Sequence, residues 1–227
     1  MNEFQQQVIS VLEAQAAVWI VGGAVRDKLL GRASQDLDLV ISLPLEQAEA
    51  LLRDSGFHPQ KISRNFDTLT LFDQGSRTDI VQADHFGADA LRRDFTINAI
   101  YMHPGTEQIY DPLYGSRDLA ENRLRCCGNP ADRFREDPVR VLRMIKFAVD
   151  LELEIESSTW DEAKEFVDFL AGVPRERVTA ELAEILILKE AEKAVRLLEK
   201  IGYWDVFVPE LARLKGIVQN QYHSLDV

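Results

Sequence analysis

The sequence predicts an α+β first part followed by an all-helical second part. Short β-type runs alternate with short helical patterns up to about Gly128, the Gly, Asn and Pro of "CCGNPADRF" then interrupt the rhythm, and every later segment is helix-periodic. At 227 residues, 46% hydrophobic and 28% charged, the chain can bury roughly 70 to 75% of its unfolded surface. That is room for one large domain or two small ones.

The elements follow in order. "AVWIV" (17–21) reads as a strand, and Gly22-Gly23 then turns it into "AVRDKLLG", a short helix that Gly31 closes. "LDLVI" (37–41) is the next strand. "LEQAEALLRDSG" is a helix with Ser42 as N-cap, Pro44 in the first turn and Gly56 at the stop. "DTLTLF", "TDIVQ", "AIYMH" and "EQIYD" complete the β-type runs. The helical segments are "DPVRVLRMIKFAVDL", "SSTWDEAKEFVDFLAG", "VPRERVTAELAEILIL" and "EAEKAVRLLEKIG". The expected organisation is 1–128, 129–188 and 189–227, with no internal repeat and no long linker.

Composition excludes some classes. No apolar stretch approaches the ~20 residues of a membrane span, and "MNEFQQQVIS" lacks the charge and apolar block of a secretion signal, so the expected location is the cytoplasm. Cys126 and Cys127 are adjacent, about 3.8 Å apart at Cα, too close for an unstrained bridge, and have no zinc-ligand spacing around them. The net charge of −12 opposes nucleic-acid binding on average. The segment from Arg92 to Lys146 differs: ten Lys and Arg against eight Asp and Glu give +2, leaving −14 on the remainder. Those arginines are either an RNA-facing surface or a solvated face of mixed charge.

Two features carry chemistry. The glycine pair at a strand-to-helix turn is where backbone can approach a phosphate closely, although it has neither dinucleotide-fold nor P-loop spacing. In "QDLDLVI", Asp36 and Asp38 alternate with Leu37 and Leu39, so both carboxylates project from one face about 6 to 7 Å apart. Like charges so placed repel unless a cation lies between them, and a pair of Mg²⁺ ions suits hard oxygen ligands and phosphoryl transfer. The alternative is an edge strand with a solvated acidic face. Asp79 in "RTDIVQ" adds a third carboxylate on a later run that would pair alongside.

Gly22-Gly23-x-Val25-Arg26-Asp27, Asp36-x-Asp38, "RRDFTINA" (92–99), "DPLYGSRDL" (111–119), "REDPVRVLRMIKFA" (135–148) and "VPRERVTAEL" (173–182) occur in one order. In that set the chain resembles the class II tRNA nucleotidyltransferases and bacterial poly(A) polymerases over about residues 17–215. The resemblance implies a DNA polymerase β-like palm with a small mixed sheet, then a helical neck and a partial body. It also implies template-independent addition of C and A, from CTP and ATP, to the 3′ end of tRNA. Asp36 and Asp38 would hold Mg²⁺ and Asp79 would help activate the primer 3′-OH. Gly22, Gly23 and Arg26 would lie against the triphosphate, and Arg92, Arg93, Asp94 and Asn98 fall in the segment that reads ribose and phosphates. Arg92 and Arg93 also admit a reading as surface charges before a helical segment.

Asp137 and Arg140 in "EDPVR" are open to two readings. On local grounds they are an N-cap and its i+3 partner. By resemblance they replace a template base: Asp137 accepts from cytosine N4 or adenine N6 while Arg140 donates to ring acceptors, and uracil and guanine present a carbonyl there instead. Twelve residues, "IVQADHFGADAL", separate Asp79 from Arg92, where related CCA-adding enzymes have a long flexible loop; a shortened loop is associated with stopping after two cytosines. The end, "GIVQNQYHSLDV", resembles the opening of an HD-type domain, with His223 and Asp226. Poly(A) polymerase remains the alternative activity, and a non-catalytic nucleotide- or RNA-binding protein the alternative of another class.

Overall fold

Apolar alternation builds one mixed sheet from six short strands: β1 (Val18–Val21), β2 (Leu37–Ile41), β3 (Thr68–Asp73), β4 (Ser76–Gln82), β5 (Tyr101–Met102) and β6 (Ile109–Tyr110). The computed structural model describes residues 1–61 and 68–214, so the expectation for the HD-like tail with His223 and Asp226 lies outside the described residues. Strand order is β3-β4-β2-β1-β5-β6; β2 and β4 run parallel and the other pairs antiparallel. Leu37 and Leu39 are buried, as are Leu69, Leu71 and Ile80 on the neighbouring strands. A row of this kind fixes register, since a one-residue slip would turn it outward.

Among the described residues, six helical pieces accompany the sheet: α1 (Glu3–Glu13), α2 (Gly23–Leu29), α3 (Leu45–Asp54), α4 (Phe86–Arg92), a 3₁₀ turn (Thr96–Asn98) and α5 (Gly115–Ala120). The first was not singled out from sequence, although Asn2 and Gln5 form a reciprocal capping box there. Ser42 does not cap α3 as expected. Its hydroxyl accepts from the Ala17 N–H at 3.0 Å, tying the end of β2 to the start of β1, and Pro44 holds the N-cap position. Gly56, at φ +87°, ends the helix as expected.

The chain divides into two compact units, Met1–Glu121 and Asn122–Val227. The division precedes Gly128 because β7 (Arg123–Leu124) pairs in parallel with β8 (Glu154–Ile155), which places residues 122–128 with the second unit. Among the described residues of that unit, this two-residue pair is the one piece of β structure beside its helices. The punctuation cluster is itself a helix start: in α6 (Pro130–Glu136), Asn129 caps by accepting from the Ala131 N–H and Pro130 stands in the first turn. α7 (Arg140–Asp150) buries Val141, Leu142, Met144, Ile145, Ala148 and Val149, a helical stripe. α8 (Ser157–Phe166), a 3₁₀ segment (Val167–Gly172), α9 (Arg175–Leu186), α10 (Ala191–Lys200), α11 (Tyr203–Phe207) and α12 (Pro209–Ala212) follow.

Candidate active site

The parallel pairing of β2 with β4 sets Asp38 directly beside Asp79. Adjacent strands lie about 4.8 Å apart, so the two carboxylates are lateral neighbours. On the other side Asp38 is in register with Val21, the last residue of β1, and so lies next to Gly22. Gly22 has φ +77° and ψ −144°, backbone that residues with a side chain rarely adopt. A Cβ there would stand 2.6 Å from Asp38 Oδ2. The glycine turn is therefore shaped around the Asp38 carboxylate.

Asp36 sits one residue before β2 and is exposed; its Oδ1 accepts the Arg77 backbone N–H at 3.0 Å. The Arg77 side chain, which sequence reasoning passed over, reaches Asp79: Nε donates to Oδ1 at 3.0 Å and a terminal nitrogen lies 2.7 Å from Oδ2. Thr70, opposite on β3, donates its hydroxyl to Asp79 Oδ1 at 2.6 Å. Arg77 thus supplies a cation to the acidic face, anticipated in the sequence only as a requirement of charge. Among the described residues, no group of three His, Cys, Asp or Glu side chains stands close enough to hold a metal ion. Asp36 and Asp38 offer hard carboxylate oxygens suited to Mg²⁺, while Asp79 is engaged by Arg77 and Thr70.

Arg92 and Arg93 precede only the 3₁₀ turn at Thr96–Asn98. Arg92 ends α4 and Arg93 is its C-cap, a helix end where positive charge is favoured. Both are gripped by Asp89, three and four residues back. Arg26 is buried: Nε donates to Asp27 Oδ1 at 2.8 Å and another nitrogen to Asn98 Oδ1 at 2.8 Å. Asn98 in turn donates to Asp94 Oδ1 at 3.1 Å, which also accepts the Phe95 N–H. Arg26, Asn98 and Asp94 thus form one hydrogen-bonded chain linking α2 to the "RRDFTINA" segment. "DPLYGSRDL" braces that segment. Asp111 accepts the Gly115 and Ser116 N–H groups, Asp118 accepts the Thr96 hydroxyl, and a Cβ on Gly115 would meet the Thr96 carbonyl oxygen. Of the twelve residues between Asp79 and Arg92, the first three complete β4 and the last six belong to α4, so only residues 83–85 are irregular.

In the second unit Asp137 is the C-cap of α6 rather than the N-cap of α7, whose N-cap is Val139. Its Oδ1 still accepts the Val139 N–H at 3.3 Å, and Arg177 of α9, unmarked as a site residue in the sequence, donates to Oδ2 at 2.7 Å. Arg140 reaches back one turn to Glu136 Oε2 at 3.0 Å and the Arg133 carbonyl at 2.9 Å. Arg143 and Lys146 pair with Glu181, so these two cations brace helices.

The mixed sheet, its glycine turn and the aspartates on adjacent strands define a nucleotidyltransferase fold. Residues 18–85 and 69–125 match the poly A polymerase head domain, and residues 152–215 the "Probable RNA and SrmB- binding site of polymerase A". The CC-adding tRNA nucleotidyltransferase of Geobacter sulfurreducens is 36% identical over 178 residues, 76% of this chain and 41% of that protein. Poly(A) polymerase I of Escherichia coli O157:H7 is 30% identical over 219 residues, 86% of this chain and 47% of that one. The Thermotoga maritima CCA-adding enzyme complexed with tRNA superposes with a TM-score of 0.81 at 28% identity, over 92% of this chain and 53% of that one. The chain belongs to the class II tRNA nucleotidyltransferase family, which also includes poly(A) polymerases, and it spans about half or less of these relatives' length.

Proposed function

We propose that this chain carries the nucleotidyl-transfer part of a template-independent RNA nucleotidyltransferase that adds C, or C and then A, to tRNA 3′ ends. The observation that supports it most is Asp38 abreast of Asp79 with Gly22 moulded on the Asp38 carboxylate. In the reaction, the primer 3′-OH attacks the α-phosphorus of CTP or ATP, pyrophosphate leaves, and the hydroxyl proton is released. Asp79, already an acceptor of three donor contacts, helps draw the 3′-OH proton when the primer replaces one of them. The side-chain-free turn at Gly22 and Gly23 admits the triphosphate to the backbone. Arg92, Arg93, Asp94 and Asn98 hold ribose and phosphates, and Arg26, buried and donating to Asn98, fixes that side chain. Asp36 and Asp38 would hold Mg²⁺, which when bound neutralises charge on the transferring phosphoryl group. In the second unit, residues 129–188 act as neck and 189–227 as part of the body, and Asp137 and Arg140 read the base. The cell compartment is the cytoplasm; among the described residues no helix is long and apolar enough to cross a membrane.

The three irregular residues between β4 and α4 favour stopping after two cytosines, in keeping with the CC-adding relative. Poly(A) synthesis is the second reading, favoured by the E. coli relative. The test is extension of a tRNA lacking its 3′ CCA with Mg²⁺ and CTP, ATP or both, beside Asp38→Ala. Two cytosines and no adenosine are expected. A third, adenosine addition shows that another element supplies the switch, long A tracts establish the second reading, and no product despite nucleotide binding refutes catalysis by this chain.

A further inference from the structure

We infer that Asp89, outside every motif quoted above, is a positioning residue that fixes Arg92 and Arg93 in the geometry that grips the nucleotide. The inference rests on the reading of those arginines as nucleotide contacts. The Asp89 side chain is 2% exposed. Its Oδ1 accepts Arg92 Nε at 2.8 Å and lies 2.6 Å from a terminal Arg92 nitrogen. Its Oδ2 accepts Arg93 Nε at 2.8 Å and the Tyr101 hydroxyl at 2.6 Å. Every partner is a donor, and four contacts match the roughly four lone-pair sites of an ionised carboxylate. Arg93 is further held over the Tyr101 ring, 5.7 Å from its centroid.

The two arginines differ in exposure. Arg93 is 18% exposed and boxed between carboxylate and ring, whereas Arg92 is 57% exposed. Arg92 lines a cavity of about 320 Å³ with Gln82, Asp84, His85 and Asp89. An exposed arginine tethered to a buried carboxylate has lost rotamer freedom before the ligand arrives. Asp89→Asn would turn an N–H₂ donor toward donors and release one arginine.

The experiment measures CTP binding without RNA for the wild type, Asp89→Asn, Arg92→Ala, Arg93→Ala and the two double variants, with thermal melts alongside. Asp89→Asn is expected to weaken binding roughly tenfold, the scale of one lost charge-assisted hydrogen bond. On the Arg92→Ala or the Arg93→Ala background the same change should cost less than its full effect, because one of its two routes of action is gone. Fully multiplicative losses would mean a merely structural role and overturn the inference, as would unchanged CTP affinity in Asp89→Asn beside a weakened Arg92→Ala. Wild-type affinity in both Arg92→Ala and Arg93→Ala would instead remove the nucleotide assignment of the arginines on which the inference stands. If Asp89→Asn does not fold, Asp89→Glu decides: it keeps the charge but displaces it by one methylene, and binding equal to wild type refutes the inference.

Discussion

Replacing Gly22 by alanine tests the coupling between the glycine turn and the aspartate beside it. Gly22 lies at φ +77°, where a residue with a Cβ pays about 1 to 3 kcal/mol in backbone strain. The new methyl group would also stand 2.6 Å from Asp38 Oδ2, and reaching an ordinary 3.4 Å contact moves the carboxylate by about 0.8 Å. Displacements near 1 Å at a reacting centre cost about a hundredfold in rate. Gly31 supplies the control, with φ +69° and no atom within 4 Å of its hypothetical Cβ. Both variants should melt lower, by roughly 2 to 4 °C for each kcal/mol in a chain of this size. Only Gly22→Ala should lose about a hundredfold in turnover, measured as single-nucleotide extension of a tRNA lacking its CCA end. Wild-type turnover in Gly22→Ala, or an equal loss in Gly31→Ala, would show that the close approach to Asp38 has no part in catalysis.

Asp137→Ala should narrow the preference for C and A over U and G by roughly ten- to a hundredfold before turnover is abolished, the cost of leaving buried polar groups unpaired. Relative rates with the four nucleotides check this, and unchanged ratios sink the base-reading role. Arg77→Gln removes the guanidinium from Asp79 and should tighten Mn²⁺ binding about 3- to 10-fold, followed by electron paramagnetic resonance; weaker binding would mean that Arg77 supports the metal site. Burial alone would raise the Asp89 carboxyl pKa, but the Arg93 charge and the hydrogen bonds from Tyr101, Arg93 and Arg92 outweigh it and hold it below the ordinary value. Its stabilising effect is therefore complete well above the unfolded value of about 4 and fades as pH falls through the lower folded value. The melting gap between wild type and Asp89→Asn should narrow as pH falls below the unfolded value of about 4, and a gap that stays constant as pH falls refutes the linkage.

Periodicity within one segment made much of the site legible. Alternation in "QDLDLVI" marked two carboxylates on one face and buried leucines on the other, and Leu37 and Leu39 are buried as that pattern requires. Glycine chemistry marked the turn at Gly22 and the stop at Gly56. Capping was less legible. Ser42 looked like a helix cap, yet bonding the neighbouring strand satisfies the same hydroxyl, and no local pattern separates the two. Cations were the least legible, since Arg92, Arg93 and Arg177 carry the same charge wherever their partners lie.

The sequence by itself determined the class of each half and the order of motifs that places the chain in its family, because those depend on neighbours one to four residues away. Only the tertiary structure decided that Asp38 lies beside Asp79, that Arg77 occupies the acidic face and that one buried carboxylate at position 89 holds two arginines. Asp38 and Asp79 meet through the register of two parallel strands far apart in the chain. That register is set by the joint burial of Leu39 with Ile80, a long-range contact that no window of local sequence encodes.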